Sequence, residues 1–329
     1  MQETTTMKAA VRERFGSPDV LELRDLERPP LTDDGVLVRV RAASVNRADW
    51  YELTGRPWFA RPMVGLRRPK SDRVGSDFAG TVVAAGREVT KFQPGDEVFG
   101  GRSGACAEYV CARVRAIAAK PAHVSFEEAA AVPIAGLTAL QALRDHGRLK
   151  PGDKVLVNGA SGGVGTFAVQ IAKALGAAHV TAVCSTRNVE QAKLLGADHV
   201  IDYTREDFTR GDQCYDLMID NAGNRSFSAC TRVLAREAIV VLVGGPMRNP
   251  LLGPLPHIVG ARLRSMIGSR KAVFFVAKFN EDDMEVLREL LETSKISPAI
   301  DRRYELSEIA DALRYMGDGH ARGKVVLTV

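Results

Sequence analysis

An α/β fold is predicted, and three observations predict it. The chain has 329 residues, which at about 150 residues per domain is enough for two domains and a full core. From Pro151-Gly152-Asp153 onward, apolar strands alternate with helices, the pattern of a parallel sheet built from βαβ units. Before Phe126 the chain reads instead as short strands and turns, which suits a small barrel or sandwich.

Composition sets the limits. Hydrophobic residues make up 45% and charged residues 26%, close to globular averages, so a disordered, collagenous or fibrous chain is excluded. Forty-five Lys+Arg against 40 Asp+Glu give a formal +5, mildly basic and short of a nucleic-acid-binding composition. Such a surface can still attract an anionic small molecule. Five cysteines exclude a disulfide scaffold, fit a reducing compartment and limit thiolate metal sites. The leader Met1-Gln2-Glu3-Thr4-Thr5-Thr6 has an acid and no apolar core, so a frayed end and a cytoplasmic location are expected. The longest apolar run, Ala129 to Ala135, is short and holds Pro133, so no membrane span and no membrane partner are expected.

Each element has a local reason. The turn Asp33-Asp34-Gly35 opens a strand in which Val36, Val38 and Val40 alternate with Leu37, Arg39 and Arg41. A second strand is expected from Phe78 to Ala85, and Pro94-Gly95-Asp96 turns the chain into Glu97-Val98-Phe99. The Ala- and Glu-rich run Phe126 to Val132 predicts a helix, Pro133 to Gly136 a loop, and Thr138 to His146 another helix. Parallel strands are expected at Val155–Val157, Val180–Cys184, Val200-Ile201, Asp216–Asp220 and Ile239–Val243. Helices are expected at Val164–Leu175, Val189–Leu195, Phe227–Leu234 and Asp282–Glu292, and Gly323 to Val329 is a closing strand.

The most informative stretch is Asn158-Gly159-Ala160-Ser161-Gly162-Gly163-Val164-Gly165, which follows a strand and opens a helix. Gly162 and Gly165 have the spacing of the second and third glycines of a dinucleotide fingerprint, with Ala160 where the first usually stands. One glycine lets the backbone approach a pyrophosphate; the last lets helix and strand pack closely. The amides of Ser161 to Val164 then face an anion at the positive end of a helix. About 20 residues on, an acid would bond the ribose 2′-hydroxyl of NAD. The chain has Ser185-Thr186-Arg187 there instead, and a guanidinium forms charge-assisted bonds to a 2′-phosphate. NADPH is therefore the expected cofactor; the competing reading makes Arg187 a solvated residue at a helix start.

Several further segments occur in order: Ala43-Ser44-Val45-Asn46-Arg47-Ala48-Asp49, Gly75-Ser76-Asp77-Phe78-Ala79-Gly80, Phe92-Gln93-Pro94-Gly95-Asp96-Glu97-Val98, Ala135-Gly136-Leu137-Thr138-Ala139 and Gly319-His320-Ala321-Arg322-Gly323-Lys324. With the glycine turn, they make the chain resemble the medium-chain dehydrogenase/reductase superfamily from Met7 to Val329, and most its zinc-free quinone-oxidoreductase branch. The resemblance implies a GroES-like β-barrel catalytic domain (residues 1–127) interrupted by a Rossmann NADPH-binding domain (128–276), with 277–329 returning to the first. Zinc-dependent members carry an early Cys and a Gly-His-Glu; here those positions read Asn46 and Gly75-Ser76-Asp77. Cysteines 106, 111, 184, 214 and 230 form no CxxC cluster, so no metal is expected and the thiols read as core residues. Without a Lewis acid, hydride delivery to a quinone or an α,β-unsaturated carbonyl is easier than alcohol oxidation.

The same resemblance implies individual roles. Tyr51, Asn46 and Asp49 line the substrate cleft, with Tyr51 or Asn46 as proton or hydrogen-bond donor, or water supplying the proton. Local alternatives are a turn for Asn46 and a helix cap for Asp49. Thr138 meets the cofactor, Tyr203 packs near the adenosine, and Phe275-Val276 flank the nicotinamide carboxamide. Asn221-Ala222 and Gly244-Gly245 sit at the carboxyl ends of parallel strands, where open sheets bind ligands. Arg322 and Lys324 reach the cofactor at the domain interface or are surface charges. A homodimer is implied through the edge of the Rossmann sheet, supplied by Ile239–Gly245 and Arg264–Ile267.

Residues 56 to 73 carry Arg56, Arg61, Arg67, Arg68, Lys70 and Arg73 against one acid, Asp72. They are either a solvated loop or a steering surface for an anion. The leading expectation is an NADPH-dependent quinone or enone reductase acting on a small molecule. Two others stand beside it: an NADP-dependent alcohol/aldehyde oxidoreductase, and a non-catalytic NADPH-binding protein with an RNA-binding role. Nucleic acid is not the expected partner, because Trp58 and Phe59 are the only base-stacking aromatics near the basic run.

Overall fold

The structure, a computed structural model, describes residues 5–246 and 249–329. Seven strands come first: β1 (Thr6–Val11), β2 (Glu22–Glu27), β3 (Gly35–Val45), β4 (Asp77–Ala85), β5 (Glu97–Gly101), β6 (Tyr109–Arg113) and β7 (Ile117–Ala119). Six parallel strands follow: β8 (Lys154–Asn158), β9 (His179–Cys184), β10 (His199–Asp202), β11 (Tyr215–Asp220), β12 (Leu234–Leu242) and β13 (Lys271–Phe274). The last two, β14 (Ile300–Glu305) and β15 (Lys324–Thr328), return to the first group.

Alternating burial along β3 closes one sheet, of order β14-β15-β3-β4-β5-β7 with β6 against β3. The closing strand β15 runs antiparallel to β3, pairing Val325 with Val45, so the last strand returns to the first group. Strands β1 and β2 form a separate hairpin that the sequence reading missed, and Thr6 of the expected frayed leader opens it. The apolar runs β8 to β12 build a second sheet of order β10-β9-β8-β11-β12-β13. The order reverses between β9-β8 and β11, the switch point at which such sheets open a crevice.

One apolar core joins the sheets. Ala79 and Phe99 of the first sheet, Leu137 and Leu140 between the sheets, Val155 and Ile219 of the second, and Met284 and Leu287 of the helix Glu281–Glu292 lie in the same cluster. The joining element is the helix Pro133–Gln141, of which the expected loop at Pro133 to Gly136 is in fact the first turn. Proline is at home there, since the first helical N–H has no partner to lose. The helix expected over Phe227 to Leu234 is shorter: it ends at Cys230, a 3₁₀ turn follows, and Leu234 already belongs to β12.

The expected dimer edge is also corrected. Strand β12 is interior, flanked by β11 and β13, and the edge is the four-residue strand Lys271–Phe274. Arg264 lies at the end of the helix Leu255–Ser265, with Met266 and Ile267 just beyond it. So short a strand, opened by a charged residue, carries little periodicity to read.

Candidate active site at the join of the two sheets

A buried polar cluster sits where the sheets meet. Asn46 ends β3 and caps the helix Arg47–Thr54; its backbone N–H donates to Asp49 Oδ2 at 2.6 Å. Ser76 Oγ donates to the other oxygen of Asp49 at 2.7 Å. Asn46 Nδ2 donates to Asp77 Oδ2 at 2.9 Å, and Ser44 Oγ to the same oxygen at 3.2 Å. Asp77 Oδ1 accepts the Ile134 N–H at 3.1 Å, which places a carboxylate at the positive end of the helix Pro133–Gln141.

Lys324 completes the cluster from the far end of the chain. Its Nζ donates to Asn46 Oδ1 at 2.5 Å and lies 3.3 Å from Asp77 Oδ2. Lys324 is 1% exposed and Asp77 0%, so the pair is desolvated and depends on these bonds. A Cβ on Gly163 would stand 3.1 Å from Lys324 Cδ, so the lysine stem crosses the start of the glycine-turn helix on its way to the first sheet.

Asp49 is equally buried, and burial pushes its carboxyl up to about 7, with the neighbouring charges of Asp77 and Glu52 adding to the rise. On the far flank Arg12 is 3% exposed, with Nη2 3.7 Å from Glu52 and with Nε and Nη1 unpartnered. Burial lowers the Arg12 pKa and raises that of Glu52. Tyr51, on the same helix, is partly exposed; its hydroxyl accepts from Arg47 Nε at 3.3 Å and keeps its own hydrogen to donate. Arg47 is fixed by the carbonyls of Met316 and Gly317.

The expected cofactor residues fall at several places, the glycine turn first. Gly159 turns with φ +78°, and its N–H and that of Ala160 both donate to Val183 O at the end of β9. Around Gly162 there is open space, its nearest would-be neighbour being Gly159 O at 3.8 Å, whereas a Cβ on Gly165 would strike Gly159 O at 2.2 Å. The two glycines thus do separate jobs, backbone approach and tight helix packing. Ser161, Gly163 and Val164 are partly exposed around the start of the helix Gly163–Ala174.

Asn221, with Ala222 just after β11, has both amide side-chain atoms buried without a partner. Gly244 follows β12 so closely that a Cβ would lie 2.2 Å from Asn221 O, and Gly245 approaches Gly223. Thr138 bonds Ile134 O within its own helix. Phe275 stacks on His146 with centroids 4.2 Å apart, and Val276 is exposed beside it; both line a cleft of about 710 Å³ with Gln141, Arg144 and Lys278.

Ser185, Thr186 and Arg187 cap β9, and Arg322 comes to them from the closing segment. Arg322 Nε donates to Asn188 Oδ1 at 2.9 Å and its Nη2 to Arg187 O at 3.3 Å, while Arg187 Nη2 donates to His320 O at 2.9 Å. Tyr203 is exposed, with its N–H on Cys184 O. One member was missed: Asp202 ends β10 opposite Cys184, and Thr186 Oγ1 donates to it at 2.5 Å. That bond, with those of Thr204, holds the Asp202 carboxyl below the usual range. Ser76 and Asp77 were noted only as the counterpart of a zinc motif, and Arg12 not at all. An acid ending a predicted strand beside a cofactor turn was the available signal for Asp202.

Among known families, the alcohol dehydrogenase GroES-like domain matches residues 32–142 and the zinc-binding dehydrogenase model matches residues 195–327. A 2-methylene-furan-3-one reductase of Solanum lycopersicum is 32% identical over 98% of this chain and 79% of its own length. The chain belongs to the medium-chain dehydrogenase/reductase superfamily. Within it the chain lies in the quinone-oxidoreductase-like branch. The chloroplastic NADPH-dependent alkenal/one oxidoreductase of Arabidopsis thaliana is 31% identical over 98% of this chain and 79% of its own length. A quinone oxidoreductase structure from Coxiella burnetii superposes with a TM-score of 0.84 at 33% identity, covering 98% of this chain and 99% of that one. The superfamily fold, a GroES-like domain with a Rossmann-like domain, is the one described above. Nicotinamide dinucleotides are the cofactors of this superfamily, and the crevice fits one: it has open space at Gly162, free helix amides and an unpartnered Asn221.

A zinc ion does not fit the corresponding residues. They present an amide, a hydroxyl and a carboxylate already bonded to an ammonium, whereas zinc takes sulfur, imidazole or several carboxylates. Among the described residues no group of three His, Cys, Asp or Glu side chains is gathered around a metal position.

The raised Asp49 carboxyl has a measurable consequence. In the folded protein it holds a proton that the unfolded chain releases near pH 4, so stability falls as pH rises from about 4 to 7. Urea denaturation of the wild type and Asp49→Asn at pH 5 and pH 8 checks this. The wild type is expected to lose on the order of 2 kcal/mol relative to the variant between the two; equal stability differences at both pH values would contradict it.

Proposed function

We propose that this chain is an NADPH-dependent, zinc-independent reductase of quinones or α,β-unsaturated carbonyls. The observation that carries the reading is the polar cluster at the join: Lys324 pairs with Asp77 and bonds Asn46, two of the residues at the zinc-ligand positions, directly beside the glycine-turn helix. A carbonyl or quinone conjugated to its double bond delocalises incoming charge without a Lewis acid. The names of the tomato and Arabidopsis relatives point to the same acceptor class.

When bound, the nicotinamide supplies the hydride. The amides at Gly163 and Val164 hold the pyrophosphate against the helix start, with the Gly162 backbone leaving room for it. Thr138, Asn221, Ala222, Gly244, Gly245, Phe275 and Val276 surround the nicotinamide half, and Tyr203 the adenosine. Lys324 and Asp77 hold the Asn46 amide in one orientation, leaving one of its two N–H groups free. Tyr51 donates to the oxygen on which charge develops, its hydroxyl oriented by Arg47.

Ser185, Thr186, Arg187 and Arg322 read the 2′-phosphate, the two guanidiniums lying at one turn. Asp202 favours the rival cofactor NADH, because an ionised carboxylate beside this turn repels a phosphate. Its oxygens are occupied by Thr186, Thr204 and Arg205, which leaves the arginines to decide. Residence in the cytoplasm belongs to the same reading: all five cysteines are unpaired, as a reducing compartment keeps them. Cell fractionation tests that point.

A homodimer completes the proposal. Val259 and Leu263 are exposed at i and i+4 on the helix beside the edge strand β13, and Met266 and Ile267 are exposed in the turn that follows it. Arg262 Nη1 ties that helix to Ala272 O of the edge. In sedimentation, Leu263→Asp with Ile267→Asp is expected to convert a wild-type dimer to monomer; a monomeric wild type would refute the dimer.

The activity is tested by NADPH oxidation against a panel of quinones and enones. Turnover is expected with at least one class, and none above background with either would end the reading. Arg187→Ala is expected to raise the KM for NADPH about tenfold, the worth of one charge-assisted bond, and to leave that for NADH unchanged. An unaltered NADPH preference would show that Arg187 does not read the phosphate.

A further inference from the structure

The six basic residues between positions 56 and 73 take no part in the site chemistry, yet their placement is specific. The segment leaves the site through the helix Arg47–Thr54 and re-enters it at Gly75 to Asp77. In between it touches the other side of the crevice. Trp58 N–H donates to Pro250 O at 3.0 Å and Phe59 N–H to Leu251 O at 3.2 Å, so it crosses from the first sheet to the loop after Gly245. It therefore bridges the two sides of the crevice and forms a rim there.

Its net charge of +5 equals the formal charge of the whole chain. Among the described residues none of Arg56, Arg61, Arg67, Arg68, Lys70 and Arg73 is within ion-pair distance of a carboxylate, although ion pairs are frequent elsewhere on the surface. Arg61 is used internally: it lies 4.8 Å from the Phe15 ring and 4.9 Å from that of Trp58 and donates to Gly55 O. Arg56, Arg67 and Arg68 are exposed, while Lys70 Nζ donates to Pro62 O at 3.0 Å.

Large apolar side chains project among these cations. Met63 is 72% exposed and Leu66 68%, with Trp58, Phe59, Leu251 and Leu252 exposed beside them. A solvated loop has no use for six such residues together. Unpaired cations around protruding apolar tips match a surface that is anionic outside and apolar just beneath. A second copy of the chain does not match, because two +5 rims repel. Single-stranded nucleic acid matches less well, since only Trp58 and Phe59 could stack on bases and the other four apolar side chains are Met and Leu.

We infer that the rim formed by residues 56–73 and 249–252 docks on an anionic lipid surface, with Arg67 and Arg68 against headgroups and Met63 and Leu66 in the acyl boundary. No helix of the described residues is long and apolar enough to cross a membrane, so the contact is peripheral. The cleft mouth then faces the bilayer, where apolar acceptors are concentrated.

Co-sedimentation with vesicles tests this without any turnover, so it stands or falls apart from the proposed activity. The protein is expected to sediment with phosphatidylcholine vesicles carrying about 30% phosphatidylserine at about 0.1 M salt, and to stay in solution with phosphatidylcholine alone. Arg67→Glu with Arg68→Glu is expected to weaken binding about tenfold or more, and Met63→Ser with Leu66→Ser to weaken it as well. Circular dichroism confirms that both variants are folded. Failure of the wild type to sediment with the anionic vesicles overturns the inference. So does binding that either pair of substitutions leaves unchanged, or tighter binding to a single-stranded RNA oligomer than to the vesicles.

Discussion

Asp77 is the carboxylate on which the join of the two sheets depends. Fully buried, it accepts from Ser44 on β3, from Asn46 at the cap of the next helix and from the Ile134 N–H at the start of the joining helix, and it pairs with Lys324 on the last strand. Three segments far apart in sequence, at residues 44–46, 134 and 324, therefore meet on one side chain. Taking such a pair out of water costs several kcal/mol per ion, and only this full set of partners offsets it. Specificity of position, more than stability, is what the arrangement provides: Lys324 cannot bond Asn46 unless the closing segment, the glycine turn and the first sheet stand in register.

That constraint shapes the chemistry available. Asn46 is held from both ends of its amide, Asp49 is shut away from solvent, and Tyr51 alone of the three offers a partly exposed donor. The Lys324 ammonium is neutralised by Asp77, so the positive end of the glycine-turn helix is what favours negative charge in the crevice. The second cationic centre, Arg187 with Arg322, is also assembled across the join. The Asp77 cluster and the turn at Arg187 thus both draw on the segment His320 to Lys324.

Much of this was legible in the sequence. The strands β8 to β12 each carry a buried apolar run because both faces of a parallel sheet are covered, and the glycine turn declares itself by the close approaches at Gly159 and Gly165. The inserted arrangement of the second sheet was legible only by resemblance. The Lys324–Asp77 pair was not legible, because its members are 247 residues apart and neither has a local signature. Pro133 misled, since the residue that stops a helix also starts one well. The hairpin β1–β2 and the edge strand β13 were lost for want of periodicity: β2 is exposed along most of its length, and β13 is four residues long.

The central claim is that Lys324 and Asp77 act as one unit. A double-mutant cycle with Asp77→Asn, Lys324→Met and the pair, read by urea denaturation, measures it directly. Each single change should cost about 3–5 kcal/mol by stranding a buried charge, and the double change much less than the sum, a coupling of about 2 kcal/mol or more. Additivity within about 0.5 kcal/mol would mean that the two side chains are merely neighbours.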